Sequence, residues 1–149
     1  MKLSLRGEYA LRALVALGEA APGDIVPIHL VSEQQQIPKR FLEQILNDLR
    51  SGGFVESKRG IAGGYRLSRT AKDLPLLDII QHVEGILSPS ESIRQPRLRP
   101  GAREAQQAIN GIMNELTKAM EKTLDRFTLD DLCERTRQAR QADAPDYAI

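Results

Sequence analysis

Residues 54–67 constrain the fold of this chain more than any other stretch, because they resemble two short strands joined by a basic, glycine-rich tip. Apolar and aromatic residues at both ends favour strands, and the glycines between them permit the backbone angles of a tight hairpin. Lys58, Arg59 and Arg66 lie on or beside the tip, where long cations reach phosphates or enter a minor groove. The pattern predicts the wing of a winged helix, although an ordinary surface hairpin with solvated charges would explain the hairpin taken alone.

Two short helical patterns precede this hairpin. The first, over residues 27–35, opens with a proline and is expected to bury Ile28 and Val31. A break at Gln36 separates it from a second helix over residues 38–50, which a proline also opens. The predicted apolar face of the second helix consists of Phe41, Leu42, Ile45, Leu46 and Leu49. Helix, turn, helix and basic hairpin in succession is the order of a winged helix-turn-helix, whose second helix lies in the major groove.

Positive charge is concentrated on this part of the chain. The whole sequence has a formal net charge of only +1. Residues 37–72 nevertheless contain eight Lys or Arg against three acidic residues, a net charge of +5, whereas the remainder from residue 73 is net negative. A basic footprint of this kind fits a partner with a phosphate backbone, and dimerisation would double it.

The flanking segments predict a mainly α fold with a small β-hairpin. A helix near residues 5–20 is expected to pack behind the helix-turn-helix, and residues 74–85 form a further helix with apolar residues at every third position. The expected division is a winged helix-turn-helix domain over 1–85, an exposed mobile loop over 86–101, a dimerisation helix with a short packing helix over 102–139, and a polar tail over 140–149.

A long helix from Ala102 to Arg126 carries an apolar seam at alternating steps of four and three residues. The alternative is a helix packed against its own domain, because the run of heptads is short. The seam favours a homodimer, which also suits a palindromic operator. Thr128 is the predicted N-cap of the helix that follows. The predicted dimer interface consists of Ile109, Met113, Leu116, Met120 and Leu124.

Composition and motifs restrict the function. No apolar run reaches the ~18 to 20 residues of a membrane helix and no signal peptide is recognisable, so a cytoplasmic protein without membrane contact is expected. The chain has one cysteine, which excludes an intrachain disulfide framework and a multi-cysteine zinc site in one protomer. The nucleophile-elbow, phosphate-loop and zinc-protease motifs are absent from the sequence, so we expect no enzyme.

An ordered series of motifs across residues 1–135 resembles the iron-sulfur cluster regulator-like, or Rrf2 (IscR-type), family of transcription factors. The matching segments are MKLS at 1–4, GEYA at 7–10, IP at 37–38, FLEQIL at 41–46, Leu49, GFV at 53–55, RG at 59–60, GGY at 63–65, Leu67, DII at 78–80, VEG at 83–85 and TLDDL at 128–132. The resemblance implies a homodimer with a winged helix-turn-helix at each end and crossed long helices between them.

The same resemblance assigns roles to individual residues. Arg40, Glu43 and Gln44 fall where the family reads bases, and Arg59 falls at the wing position that enters the minor groove. The full set of predicted DNA-binding residues is Lys39, Arg40, Glu43, Gln44, Lys58, Arg59, Gly63, Gly64 and Tyr65. A winged-helix module that binds another protein and no DNA is the alternative, because a fold does not determine a function.

One departure from the family pattern concerns sensing. Cluster-binding members carry three cysteines between Gly85 and the long helix, whereas residues 86–101 here contain none. A 2Fe-2S cluster would therefore need non-standard ligands, and the candidates are Cys133, His82, Glu8 and His29. For Cys133 an inert buried residue is the competing interpretation, and for His82 a satisfied surface histidine. We accordingly expect the chain to bind operator DNA without a cofactor.

Overall fold

Six α helices and one antiparallel hairpin form the part of the molecule that the structure, a computed structural model, describes: residues 2–85 and 97–143. The elements are α1 (Leu5–Gly18), α2 (Ile28–Gln35), α3 (Lys39–Ser51), β1 (Val55–Lys58), β2 (Gly64–Leu67), a 3-10 helix (Ala71–Asp73), α4 (Leu76–Glu84), α5 (Ala102–Leu124) and α6 (Leu129–Asp143). The predicted fold class, mainly α with a small hairpin, is confirmed.

Helix α1 lies at the centre of the fold. Ser4 caps it, since the Ser4 hydroxyl oxygen accepts the N–H of Gly7 at 3.0 Å. Ala10 and Ala13 are fully buried and their short side chains let neighbouring helices approach closely. Helix α1 contacts α2, α3, α4, α6 and strand β2. The predicted packing of this helix behind the helix-turn-helix is therefore confirmed.

The turn between α2 and α3 is held by a short network of hydrogen bonds. Gln36 adopts a left-handed conformation with φ 52°, which ends α2. The Ser32 hydroxyl donates to the carbonyl of Ile37 at 2.7 Å, and the N–H of Ile37 donates to the carbonyl of Ser32 at 3.1 Å. Ile37 is 1% exposed and joins the core. Pro27 and Pro38, which were predicted to open the two helices, are instead the N-caps of α2 and α3, so each helix begins one residue later than predicted.

Helix α3 buries a narrower stripe than its sequence predicts. Leu42, Ile45, Leu46 and Leu49 are buried as expected. Phe41 is 44% exposed, because at ~100° per residue it lies about 90° from the centre of that stripe. The Arg40 guanidinium lies 5.1 Å from its ring centroid. In α2, Val31 is buried as predicted, whereas Ile28 is half-buried.

The predicted wing is present and is anchored to the rest of the fold. Strands β1 and β2 pair in antiparallel register, Val55 opposite Leu67 and Lys58 opposite Gly64. The backbone of Tyr65 also exchanges two hydrogen bonds with Val26, of 2.8 and 2.9 Å, which ties β2 to the segment before α2. The base of the wing is thus fixed to the helical core, whereas its tip extends beyond it.

Helix α6 extends further than the sequence indicates. The predicted cap is confirmed, because the Asp131 carboxylate accepts the N–H of Thr128 at 2.8 Å and the N–H of Asp131 reaches the Thr128 hydroxyl at 3.3 Å. A polar tail from residue 140 was expected, yet the helix runs to Asp143. The Arg140 guanidinium pairs with Glu19 of α1 at 2.9 Å and holds this last stretch. Leu129 and Cys133 of α6 belong to the core.

Helices α4 and α5 differ from expectation at their ends and faces. Helix α4 begins at Leu76 and buries Ile79 and Ile80. Ile80 belongs to the predicted stripe at every third position, whereas Leu77 of the same stripe is half-buried. Helix α5 ends at Leu124, two residues before the predicted end. Residues 86–96 of the predicted loop lie outside the described residues. None of the helices in the described part of the chain has the length and apolarity needed to cross a membrane.

The close approach of Gly64 to Val26 generates a stability prediction. A Cβ at position 64 would lie 2.2 Å from the backbone carbonyl oxygen of Val26, which cannot move without breaking the anchoring bridge. We expect Gly64→Ala to lower the free energy of unfolding by about 1–3 kcal/mol. Urea denaturation measures this difference. Ala62→Ser, an exposed change in the same hairpin, serves as the control, and equal stability of both variants would contradict the prediction.

Candidate nucleic-acid interface

An open groove runs between α2, the outer face of α3 and the wing. Its walls include His29 from α2, Glu43 from α3, and Lys58, Arg59 and Tyr65 from the wing. Three separate segments of chain thus present polar and charged side chains to one concave surface. The helix-turn-helix geometry and the Val26–Tyr65 bridge together set its shape.

The cations around this groove differ in their availability. Arg66 is paired with Glu56 across the wing at 3.0 Å, and Arg50 donates to Asn47 at 2.6 Å and to Ser57 at 3.1 Å. Within the described part of the chain, Lys58 and Arg59 form no ion pair, and both are exposed. On the wing, these two cations are therefore available to neutralise an external anion.

The outer face of α3 carries the side chains predicted to read bases. Lys39, Arg40, Glu43 and Gln44 are all exposed. At ~100° per residue Arg40, Glu43 and Gln44 lie more than about 100° from the centre of the buried stripe, whereas Lys39 lies beside the stripe in the first turn. Glu43 faces the groove beside the wing, whereas Gln44 lies beside a small apolar cavity that includes Tyr9 of α1. The structure therefore brings Glu43 together with the wing residues and places Gln44 at the other edge of the helix. Their base contacts stay a prediction.

Gly63, Gly64 and Tyr65 have packing roles that the sequence did not reveal. The N–H of Gly63 donates to the carbonyl of Gly60 at 2.9 Å and closes the tip of the wing. A Cβ on Gly63 would lie 2.3 Å from the Lys58 carbonyl oxygen, and Gly64 lies against Val26. The backbone of Tyr65 forms the bridge to Val26. These residues shape the wing, and whether they also touch DNA remains a prediction.

Asp48 of α3 contacts side chains of α1 and α4, and the sequence did not predict these contacts, which we call the Asp48 tie. The Asp48 carboxylate pairs with Arg6 of α1 at 2.9 Å and lies 3.4 Å from the His82 Nε2 of α4. His82 Nε2 also lies 3.0 Å from the Asp48 carbonyl oxygen, and its ring meets Phe54 edge-on at 5.4 Å. Residues 34 positions apart meet here, so no local pattern could have indicated the contact.

The four candidate metal ligands lie in different surroundings. His82 is engaged with Asp48, His29 lines the groove, Glu8 is exposed in the first turn of α1, and Cys133 is buried in α6. Among residues 2–85 and 97–143, no group of three or more His, Cys, Asp or Glu side chains is placed to hold a metal ion. The structure does not bring these candidates together within one protomer.

The chemistry of Cys133 does not fit a cluster ligand. Burial, followed by the negative charge of Glu19, raises the pKa of the Cys133 thiol from 9.0 to about 11. Its sulfur packs against Gly18 of α1, where an added Cβ would lie 2.8 Å away. Iron-sulfur clusters are bound by thiolates, and the sequence supplies one thiol in all. The donors of this chain therefore do not fit a standard 2Fe-2S cluster.

Comparison with known proteins identifies the family. The sequence profile of Rrf2, described as an iron-dependent transcriptional regulator, matches residues 3–135. The chain belongs to the Rrf2 family. It is accordingly a winged-helix, DNA-binding transcriptional regulator and not an enzyme. The resemblance identified from the sequence motifs is confirmed.

Individual relatives agree with this assignment. Protein rrf2 of Nitratidesulfovibrio vulgaris is 33% identical over 132 residues, which cover 89% of this chain and 87% of that protein. The structure of CymR, the global cysteine regulator of B. subtilis, superposes with a TM-score of 0.68 at 29% identity, covering 91% of this chain and 98% of CymR. That of T. potens IscR gives a TM-score of 0.71 at 27% identity, covering 98% and 93%.

The burial of Cys133 predicts slow thiol chemistry and a specific pH dependence. At pH 8 the folded protein should react with a disulfide reagent far more slowly than the protein in guanidinium chloride, because the thiolate is scarce and covered. Between pH 9 and 11 the unfolded thiol loses its proton first, so the unfolded state binds fewer protons and stability falls as pH rises.

The matched variant for this prediction is Cys133→Ala, which lacks the titrating thiol. Its stability should fall less steeply than that of the wild type over the same pH range, as measured by denaturant titration at each pH. Parallel pH profiles, together with rapid modification of the folded wild type, would contradict the buried, protonated thiol.

Proposed function

We propose that this Rrf2-family regulator is a homodimeric repressor that binds a palindromic operator in double-stranded DNA. In the proposed complex α3 lies in the major groove and the tip of the wing enters the adjacent minor groove. The observation that carries the proposal is the groove between α3 and the wing, where Lys58 and Arg59 are exposed and unpaired in the described part of the chain.

The contacts between α3 and its neighbours support this assignment of roles. Arg6 and His82 hold α3 through Asp48, and Arg50 links the end of α3 to Ser57 of the wing. A recognition helix fixed against its wing presents both elements to DNA in one geometry, so little order has to be created on binding. Glu43 and Gln44 would then contact base edges, while Lys39 and Arg40 would contact phosphates or bases.

The exposed apolar surface of α5 supports the dimer. Ile109 is 53% exposed, Met113 39% and Leu116 51%, and the structure adds Ile112 at 62%, which sequence reasoning missed. Large apolar side chains exposed in a row along one helix indicate a partner surface. A second copy is the partner we propose, because the two halves of a palindrome require two recognition helices related by a two-fold axis. Met120 and Leu124 are half-buried in the protomer.

We propose that operator binding needs no iron-sulfur cluster. The described residues supply one buried, protonated thiol and no group of possible metal ligands. A bound cluster is therefore not what holds the recognition helix and the wing in place. The positions of α3 and the wing depend instead on the apolar core around α1, the Asp48 tie and the Val26–Tyr65 bridge.

The contribution of Arg59 to DNA binding can be measured directly. The probe is a duplex selected from a random-sequence pool by the wild-type protein, and the readout is fluorescence anisotropy at several salt concentrations. We expect Arg59→Ala to weaken binding and to lower the slope of log K against log salt by about 0.9 per protomer, because one phosphate contact is lost. By contrast, Gln44→Ala should change discrimination between sequence variants and leave the slope unchanged.

Arg103→Ala is the control, because Arg103 is an exposed arginine at the start of α5, outside the groove. An unchanged salt slope for Arg59→Ala would contradict its role at the phosphate backbone. If the wild type selected no duplex at all, the interpretation as a protein-binding module would be preferred.

The proposed dimer interface can be tested by substitutions in the apolar seam of α5. Met113→Glu combined with Leu116→Glu should yield folded monomers at micromolar concentration, because both carboxylates would be buried unpaired in the dimer but exposed in the monomer. Sedimentation velocity and circular dichroism measure mass and folding. Asn114→Glu, about 120° around the helix from the centre of the seam, should leave the dimer intact. A folded dimer in the double variant would show that the seam is not the interface.

A further inference from the structure

The tip of the wing presents an apolar side chain that the proposed contacts do not use. The N–H of Gly63 donates to the carbonyl of Gly60 at 2.9 Å, so Ile61 and Ala62 occupy the two corners of a four-residue turn. Ile61 has a relative exposure of 111%, so its side chain contacts essentially nothing in the protomer. It directly follows Gly60 and lies two residues from Arg59, on the rim of the groove.

The identity of this residue is not explained by the turn. Corners of tight turns favour Gly, Pro, Asn, Asp and Ser, which either adopt the required angles or bond to the local backbone. An isoleucine at this position contributes no burial to folding. A β-branched side chain has few rotamers, however, so it loses little entropy when it meets a partner. The tip therefore holds a stiff apolar group, fully exposed at the turn of the wing.

The backbone beneath Ile61 is held in place. Gly60 has φ 108°, and a Cβ on Gly63 would lie 2.3 Å from the carbonyl oxygen of Lys58, so both glycines are needed for the turn to close. The Val26–Tyr65 bridge anchors the same hairpin to the core. The backbone that carries Ile61 therefore has a defined position. A side chain that discriminates between base pairs requires such a fixed position.

The partner follows from the charges beside the tip. Lys58 and Arg59, unpaired in the described part of the chain, flank the turn and complement a polyanion. If they place the wing in the minor groove, the tip meets the floor of that groove, where guanine presents its 2-amino group and A·T pairs present only acceptors. An apolar side chain packed there would leave the guanine N–H without water or an acceptor, which is costly.

We propose that Ile61 is a specificity-determining residue, which favours A·T over G·C pairs where the wing enters the minor groove. This inference rests on the proposed function, because it requires the wing to lie in that groove. Arg59 supplies attraction that is independent of sequence, and Ile61 supplies discrimination through the desolvation of the guanine 2-amino group. The selectivity therefore does not depend on any hydrogen bond from the wing.

The test uses the full-length protein and the duplex that the wild type selects from a random pool. Positions facing the wing are those protected from hydroxyl-radical cleavage by the wild type but not by Arg59→Ala. At these positions A·T is replaced by G·C or by inosine·cytosine, which has the same major-groove edge as G·C but lacks the 2-amino group. Anisotropy titrations of wild type, Ile61→Ser and Ile61→Val are compared on all three duplexes.

We expect the wild type to bind the G·C duplex on the order of tenfold more weakly than the A·T duplex, and to recover on inosine·cytosine. Ile61→Ser should lose this discrimination, Ile61→Val should retain it, and both should keep the wild-type salt slope because no charge changes. Thermal unfolding of both variants should match the wild type, because the side chain is fully exposed.

Two outcomes would overturn the inference and are distinguishable from each other. If the wild type binds its selected duplex but Ile61→Ser keeps the same preference for A·T, Ile61 does not determine specificity and the proposed function stands. If the wild type enriches no duplex from the pool, both the inference and the proposed DNA-binding mode fail.

Discussion

The burial of α1 is the interaction on which the rest of the structure depends. Four helices and strand β2 pack around it, and its alanines permit the close approach that larger residues would prevent. The element that we propose as the recognition helix, the wing and the C-terminal helix are therefore all positioned against one surface. Arg140, in the last turn of α6, pairs with Glu19 at the end of α1. The last described stretch of the chain therefore also contacts this helix.

The basic side chains of α3 and the wing differ in whether they bond to other groups of the protein. All four of Arg50, Lys58, Arg59 and Arg66 are exposed, but Arg50 and Arg66 bond to neighbouring side chains, while Lys58 and Arg59 form no ion pair in the described part of the chain. The engaged arginines hold α3 to the wing and stabilise the hairpin. A count of basic residues therefore overstates the charge that is available to a phosphate backbone, and the geometry of the pairs decides which side chains remain.

The description of the Rrf2 family as iron-dependent contrasts with the donors of this chain. Its one thiol is covered by α1, and burial keeps it protonated well above neutral pH. His82, a candidate ligand by residue type, is instead engaged with Asp48 on α3. The residues that could have held a metal thus stabilise the helical core or lie apart from one another within the protomer. A signal that acts on this protein would have to reach α3 by a route other than standard cluster ligation.

Local patterns in the sequence determined the helix-turn-helix, the wing, the long α5 and the cap at Thr128, because hydrophobic periodicity, proline, glycine and capping residues act over a few positions. The extension of α6 to Asp143 and the Asp48 tie were decided only by the tertiary structure. Each depends on side chains that are distant in sequence. Which cations of a basic segment form ion pairs is likewise decided by their neighbours in space. The sequence could therefore indicate a basic wing, but not that Arg66 is paired with Glu56 while Arg59 forms no ion pair in the described part of the chain.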